Sequence, residues 1–597
     1  MANPCTNPVD QRLYEIGMSW SQAHYSPETR LIGTGVRGAA AYALFLAAGG
    51  DPADCQEAEK IVTAVVAQQQ TDPSSAHFGL FKTSSEAETY TDQNWAAFCG
   101  SYLMHIPRAY GDRIGEGCRK MIEEALMRAC AFIKQRDVTP GYTNIALLSA
   151  SVLTVAGEMY GASDYLEEGR RKMRELVGHI NLTGGFQEYS SPTYYGTNLS
   201  ALCWMGMFVQ DEETHDLALR IQARLWRTIA AHFHAPTGQL AGPHSRSYGN
   251  IFQHYAAALK YYLYKVLDKR FDLGENAHHG GDTTYAGLAA LQDVVCPEDA
   301  VEMMVDADYP RTVEETVRTD GRPLGPGYVG PFVQMTTHLT DDYALGTVNT
   351  GEVWYQRRNL MLYWVGPGKQ PAALTERVRQ DDAFTQDRKA SVWGVQKGGS
   401  ALMLHDLSSL RERTMHAFSV VLTLEVDPAP RIWVSGKELD ALSGQFGGES
   451  TVFLRSGDLC IGTRFQTVGL QGNRAQGKIR ALNTGEIRET DQGLALALDL
   501  YRGDEIAVSD ADVSGAFCAY VMEVREAGSK REAEAFREAF SRGNLTVDAA
   551  ESGFSARWRG EDVVLAIQPT GEGGARQYEG LIGGIPVHPE RLIKEEI

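Results

Sequence analysis

Gly184-Gly185-Phe186-Gln187-Glu188-Tyr189-Ser190-Ser191-Pro192-Thr193-Tyr194-Tyr195-Gly196-Thr197-Asn198-Leu199 is the stretch on which the reading of this chain turns. It gathers a carboxylate, adjacent phenols, hydroxyls and an amide in a segment punctuated by Gly and Pro, the mark of a loop. The bland alternative is that Tyr194 and Tyr195 are loop aromatics packed on neighbouring helices. What weighs against it is the company these residues keep elsewhere.

The flanks of that loop are helical. Ala58, Ile61, Val62, Val65 and Val66 follow the i, i+3, i+4, i+7, i+8 template, as do Cys118, Met121, Ile122 and Ala125, then Ala129, Phe132 and Ile133. Further helices are expected over Arg37 to Ala48, Trp95 to Ile106, Asn144 to Tyr160, Tyr165 to Gly178, Asn198 to Val209, Glu213 to Phe233 and Ile251 to Lys265. Helices joined by loops of very unequal length suggest hairpins wrapped into an incomplete (α/α) toroid, with the long loops at one mouth. Past about residue 300 the texture changes to short β-branched runs bounded by Gly, Asp and Asn, such as Tyr343 to Val348, Ser419 to Glu425 and Leu494 to Leu500. The expected fold is therefore α+β and multidomain: a toroid over 1–300, an antiparallel β-sandwich over 301–510 and a smaller β region over 511–597, interrupted by a helix from Lys530 to Phe540.

A chain of 597 residues is too long for one core, which agrees with this division. Its formal charge of −20 argues against nucleic acid or an anionic membrane as partner, and an acidic substrate would need a local basic patch. Nine scattered cysteines without a CxxC pair read as reduced core thiols. The N-terminus shows no secretory pattern, so the chain reads as cytoplasmic, or as secreted or periplasmic if a leader has been removed.

Three loops carry the chemistry at intervals of about fifty residues, roughly one helical hairpin: Asn144, then Tyr194 and Tyr195, then His244, Arg246 and Tyr248. Equal spacing in a hairpin array puts them on one rim. Asn144 has the alternative reading of a helix N-cap.

An amide, a tyrosine and a His/Arg loop in that order, on a helical toroid followed by a β-sandwich, resemble the polysaccharide lyases of the heparinase II/III and alginate-lyase type. The motifs are the Asn144 loop, the Glu188 to Tyr195 segment, similar to that family's Glu-x-Ser-Pro-x-Tyr, and the Ser245-Arg246 loop. The resemblance implies cleavage of a uronic-acid-containing glycan by β-elimination, with the amide, helped by a His, neutralising the uronate and the Tyr transferring protons. It implies an acidic polysaccharide or oligosaccharide as partner and no required cofactor, although some relatives carry a structural zinc or calcium. The sequence shows no dedicated metal-ligand spacing, and a homodimer is compatible with it.

The chemistry explains the residue types. Removing the proton alpha to a uronate carboxylate requires that carboxylate to be held, a role that Asn144 with His244 or Arg246 fits. A phenol with a pKa near 10 needs a neighbouring cation to ionise near neutrality, and Arg246 is the candidate. Alignment on Ser191-Pro192-Thr193-Tyr194 selects Tyr194 as the acid/base, whereas alignment on the Tyr-Gly pair selects Tyr195. Glu188 stands where chondroitin lyases have a His, so a histidine would come from another loop, His244 or His338. Trp95, with Gln93 and Asn94, is expected to line sugar subsites, and Arg357 or Arg358 to supply positive field. The rivals are a C5 epimerase using the same enolate, a glycoside hydrolase using Glu188 with Asp92 or Glu158, and a non-catalytic glycan binder.

Overall fold

The computed structural model describes residues 3–275, 278–318, 332–350, 356–381, 383–384, 391–410, 413–472, 475–481, 493–570 and 576–588. Its first half is helical: α1 (Pro8–His24), α2 (Val36–Gly49), α3 (Pro52–Val66), α4 (Trp95–Tyr110), α5 (Glu116–Arg136), α6 (Thr143–Met159), α7 (Ser163–Thr183), α8 (Tyr194–Phe208), α9 (Glu212–His232), α10 (Ala258–Leu267), α11 (Thr284–Ala290) and α12 (Glu298–Val305). Burial sorts them into two layers. Helices α2, α4, α6 and α8 are buried almost all round and pack side by side, α2 on α4, α4 on α6, α6 on α8, with α10 following α8. Helices α3, α5, α7 and α9 bury one face each and form the outer layer. Helix α11 packs on α10, α1 and α2, which brings the last turn of the ring back to the first.

Because each inner helix is followed by an outer one running back, the inner helices are parallel and their N-termini meet at one mouth. Side chains verify this: Asn94 at the start of α4 donates to Tyr142 beside the start of α6, 3.1 Å. A Cβ on Gly196, in the first turn of α8, would fall 2.3 Å from the backbone of Ala258, where α10 begins, so the two starts are pressed together. The helix expected from Ile251 begins only at Ala258; the preceding coil is held by Lys260, whose ammonium donates to the carbonyls of Phe252 and Tyr255, 3.1 and 2.8 Å.

The second half is antiparallel β. A ten-stranded sheet runs from Gly444–Gly447 through Gln476–Ala481, Leu494–Ala507, Thr414–Glu425, Pro371–Gln380, Leu360–Val365, Tyr343–Val348 and Phe332–Leu339 to Arg311–Arg318, with Ala383–Phe384 paired beside Pro371–Gln380. Its inner face packs on a seven-stranded sheet that includes Ser391–Lys397, Ser400–Asp406, Phe517–Glu526, Leu459–Val468, Thr451–Ser456 and Arg431–Val434. The strand Phe517–Glu526 thus belongs to the sandwich, and the strands from Asn544 onward form the separate five-stranded sheet. That small sheet shares a core with the seven-stranded one and with the helix Lys530–Arg542.

The ten-stranded sheet also touches the toroid. Thr337 donates to the carbonyl of Gly242, 2.7 Å, and on the neighbouring strand a Cβ at Gly346 would sit 1.7 Å from that same oxygen. Only glycine allows the loop so close. Among the described residues no helix is long and apolar enough to cross a membrane, and no three His, Cys, Asp or Glu side chains are gathered to hold a metal ion.

Candidate active site

The three loops converge at the mouth. Ser191-Pro192-Thr193 starts α8, with Pro just ahead of the first turn and the Ser191 hydroxyl accepting the Tyr194 N–H, 3.1 Å. Tyr194 is therefore the first residue of a helix, partly exposed at the mouth, and not part of the loop. Its hydroxyl accepts from Arg246 Nη2 at 2.7 Å and shares a 2.7 Å hydrogen bond with the hydroxyl of Tyr248. The Arg246 guanidinium also lies over the Tyr194 ring, 3.8 Å from its centroid.

The other edge of Arg246 is taken. Nη1 donates to Glu188 Oε1 at 2.7 Å, and Asn144 grips the same carboxylate through its side-chain amide (2.6 and 2.8 Å) and its backbone N–H (2.8 Å). Glu188 is 0% exposed. Asn144 is thus no N-cap; Tyr142 holds that place, and Glu188 caps α6 from outside with its negative charge on the positive end of the helix. This corrects the expectation that Asn144 and Arg246 wait for a substrate carboxylate: the carboxylate they grip belongs to the chain. What Asn144 leaves over is its Oδ1, a buried acceptor with no partner among the described residues; Asn94 Oδ1 is another. Both suit hydroxyl donors, not anions.

The electrostatics follow. Burial pushes the Tyr194 phenol well above its ordinary range, Arg246 pulls it down, and Tyr248 and Glu188 push it up again. Because burial outweighs the pull of Arg246, with Tyr248 and Glu188 adding to it, Arg246 does not bring the phenol down to neutrality as expected, and Tyr194 rests protonated. Arg246 itself is held charged by Glu188 and the surrounding phenols.

The remaining expectations divide. Tyr195 is 1% exposed, with its hydroxyl accepting the Ser190 N–H at 2.7 Å; it fastens the motif from behind and does not face the mouth. His244 is buried too, its ring bonded to the Ser190 carbonyl at 2.6 Å and facing the Tyr363 hydroxyl at 3.3 Å, and burial draws its pKa down to about 3. It is a neutral positioning residue for the loop. His338 is further off: its neighbour Thr337 faces Gly242, so the strand turns His338 to the opposite side, where it meets Thr312 at 2.9 Å and the Tyr343 ring. It does not reach the mouth. Arg358 is buried beneath the third loop, bonded to Asn250 Oδ1 at 3.1 Å and paired through its backbone with His244, and Arg357 is buried as well. Trp95, half-buried, and exposed Gln93 do stand at the mouth, at the start of α4.

Three contributors escaped the sequence. Tyr142 lies under Arg246, 5.7 Å from ring centroid to guanidinium, and only its position beside Asn144 hinted at it. Gln356, whose Oε1 accepts from Arg246 Nε at 3.1 Å, comes from the β half and carried no signal. Arg136, half-buried at the end of α5, interacts with Tyr142 and Asp92 and would have been found by asking which outer helix ends at the mouth.

A family model described as a domain of unknown function (DUF8769) matches residues 11–293, the helical half. No curated protein matches the chain. Among solved structures the chain is similar to a crystal structure of heparinase III, over 91% of this chain and 82% of that one, with a TM-score of 0.42 at 10% sequence identity. The chemistry assigned to the mouth rests on its own side chains.

Proposed function

We propose that this protein is a lyase that cleaves a uronic-acid-containing polysaccharide or oligosaccharide by β-elimination, with Tyr194 transferring the protons. The observation that carries the reading is the Tyr194 hydroxyl, at the open mouth, held at 2.7 Å by both Arg246 and Tyr248 while Glu188 fixes the far edge of Arg246. A phenolate formed there is met by two donors. It takes the C5 proton, the C4–O4 bond breaks as the C4–C5 double bond forms, and the new phenol returns the proton to the departing oxygen. The parallel N-termini of α2, α4, α8 and α10, with Arg136 at the rim, favour an anionic sugar at this mouth despite the acidic total. Trp95 offers a stacking face, and exposed Gln93 beside it offers an amide for sugar hydroxyls.

Hydrolysis fits less well. Glu188 has both oxygens engaged and no exposure, and Glu158 caps α9 through the N–H groups of Gln210 and Asp211, about 20 Å from the mouth along α6. The test is kinetic: Tyr194→Phe removes activity on uronate oligomers while the Tyr195→Phe protein keeps it. Equal loss in both variants contradicts the assignment, and proton exchange at C5 without bond cleavage turns the reading toward an epimerase.

A further inference from the structure

A second cluster of cations lies in the β half, between the strands Arg431–Val434 and Thr451–Ser456 and the helix Lys530–Arg542. There Arg431, Arg455, Arg537 and Lys530 line a cavity of about 260 Å³, opposed by the carboxylates of Glu438 and Glu534 alone among the described residues. Arg431 and Arg455 stand directly opposite each other across the strand ladder. Like charges in that position repel, and a sheet chosen for stability avoids them. Glu438 answers Arg431 with two hydrogen bonds, 2.7 and 2.8 Å. Among the described residues, Arg455 has only the carbonyl of Gly457, 3.1 Å. Arg537 makes no ion pair among the described residues; its guanidinium lies 5.2 Å from the Trp433 ring, and that of Arg431 lies 4.9 Å from the same ring.

The result is a walled recess with a surplus of two positive charges in a chain of net charge −20. Guanidinium forks with unused N–H groups recognise carboxylate and sulfate oxygens, and a cavity of this size admits one such group with part of its ring. A like-charge pair of which one member is answered by a carboxylate and the other is not points to a ligand. We propose that this recess is an anion-binding site, separate from the mouth of the toroid, that takes a carboxylate or sulfate of an acidic saccharide chain. The choice of saccharide rests on the lyase reading; the anion chemistry does not.

The experiment is calorimetric titration of the full-length Tyr194→Phe protein, slowed so that it consumes little ligand during the titration, with alginate, polygalacturonate and heparin fragments, beside duplex DNA. The same titration is run with Arg455→Gln/Arg537→Gln added. At least one glycan binds, and the added pair weakens it roughly tenfold or more through two lost charge-assisted contacts. In the otherwise wild-type protein the pair leaves cleavage of short oligomers unchanged and does not lower the thermal midpoint, because the Arg431–Arg455 repulsion is relieved; a merely structural pair would lower it. Unchanged glycan binding in the double variant, no glycan binding in the parent, or DNA bound as tightly as any glycan each overturns the proposal. Glycan binding at this recess without any cleavage would leave it standing and sink the lyase reading for those glycans.

Discussion

Replacing Glu188 by glutamine takes away the charge that Arg246 now shares and leaves the Tyr194 phenol facing an undivided guanidinium. Arg246 bridges the two groups, 2.7 Å to each, so the carboxylate charge stands about 7 Å from the phenol oxygen, and at an effective dielectric constant of about 20 it acts on the phenolate with ~2.4 kcal/mol, nearly two pKa units. Its sign follows from repulsion, since a carboxylate charge disfavours the phenolate. Glu188→Gln therefore lowers the Tyr194 pKa. Below that pKa the phenolate fraction grows tenfold per pH unit, so the rising alkaline limb of log kcat/KM moves toward lower pH by roughly 1–2 units. The assay is kcat/KM from pH 6 to pH 10, followed by the ultraviolet absorbance of the unsaturated product. The variant also leaves a buried arginine unpaired, at a cost of about 3–5 kcal/mol of stability, which is read separately from denaturant unfolding. A limb that stays in place, or moves to higher pH, in a protein still folded under the assay refutes the electrostatic reasoning.

Tyr194→Phe is expected to lower kcat by about 10²- to 10⁴-fold, whereas Tyr195→Phe strands the buried Ser190 N–H, costing ~1–3 kcal/mol of stability with the rate per folded molecule unchanged. Arg246→Met moves the alkaline limb the other way, to higher pH, because the cation that lowers the phenol is gone. His338→Ala leaves kcat and KM unaltered, as steady-state kinetics on the same substrate will show. His244 is drawn from an ordinary histidine value of 6.5 to about 3, so unfolding binds its proton: its contribution to stability is complete above about pH 6.5 and falls by ~1.4 kcal/mol per pH unit between there and about pH 3. Denaturant midpoints from pH 7 to pH 4 check this, and His244→Gln flattens the slope.

The fold was largely legible because its signals are local. Helical periodicity marked α3 and α5, and strands such as Tyr343–Val348 and the helix from Lys530 appear where β-branched runs and spacing put them. The Gly and Pro punctuation that marks a loop also suits a helix start after Ser191-Pro192, and only the packed α8, which begins at Tyr194, decides between them. The site was legible as a set of residues and illegible as a set of pairings. Whether Asn144 and Arg246 grip a substrate or Glu188 depends on a loop closing across about fifty residues, which no spacing reports. His338 was lost to strand parity: one residue earlier, Thr337 faces the toroid, and which parity faces it depends on the docking of the sheet. His244 and Arg358 read as available groups because the burial of His244 between the Ser190 carbonyl and Tyr363, and of Arg358 beneath the third loop, is not a property of sequence.

The most direct test of the lyase reading is to incubate the protein with a panel of uronate polymers and oligomers and follow, in the same tubes, ultraviolet absorbance of an unsaturated uronate and release of reducing ends. The account predicts that both rise together on at least one acidic glycan and that both vanish in Tyr194→Phe. Reducing ends that accumulate without absorbance would contradict it.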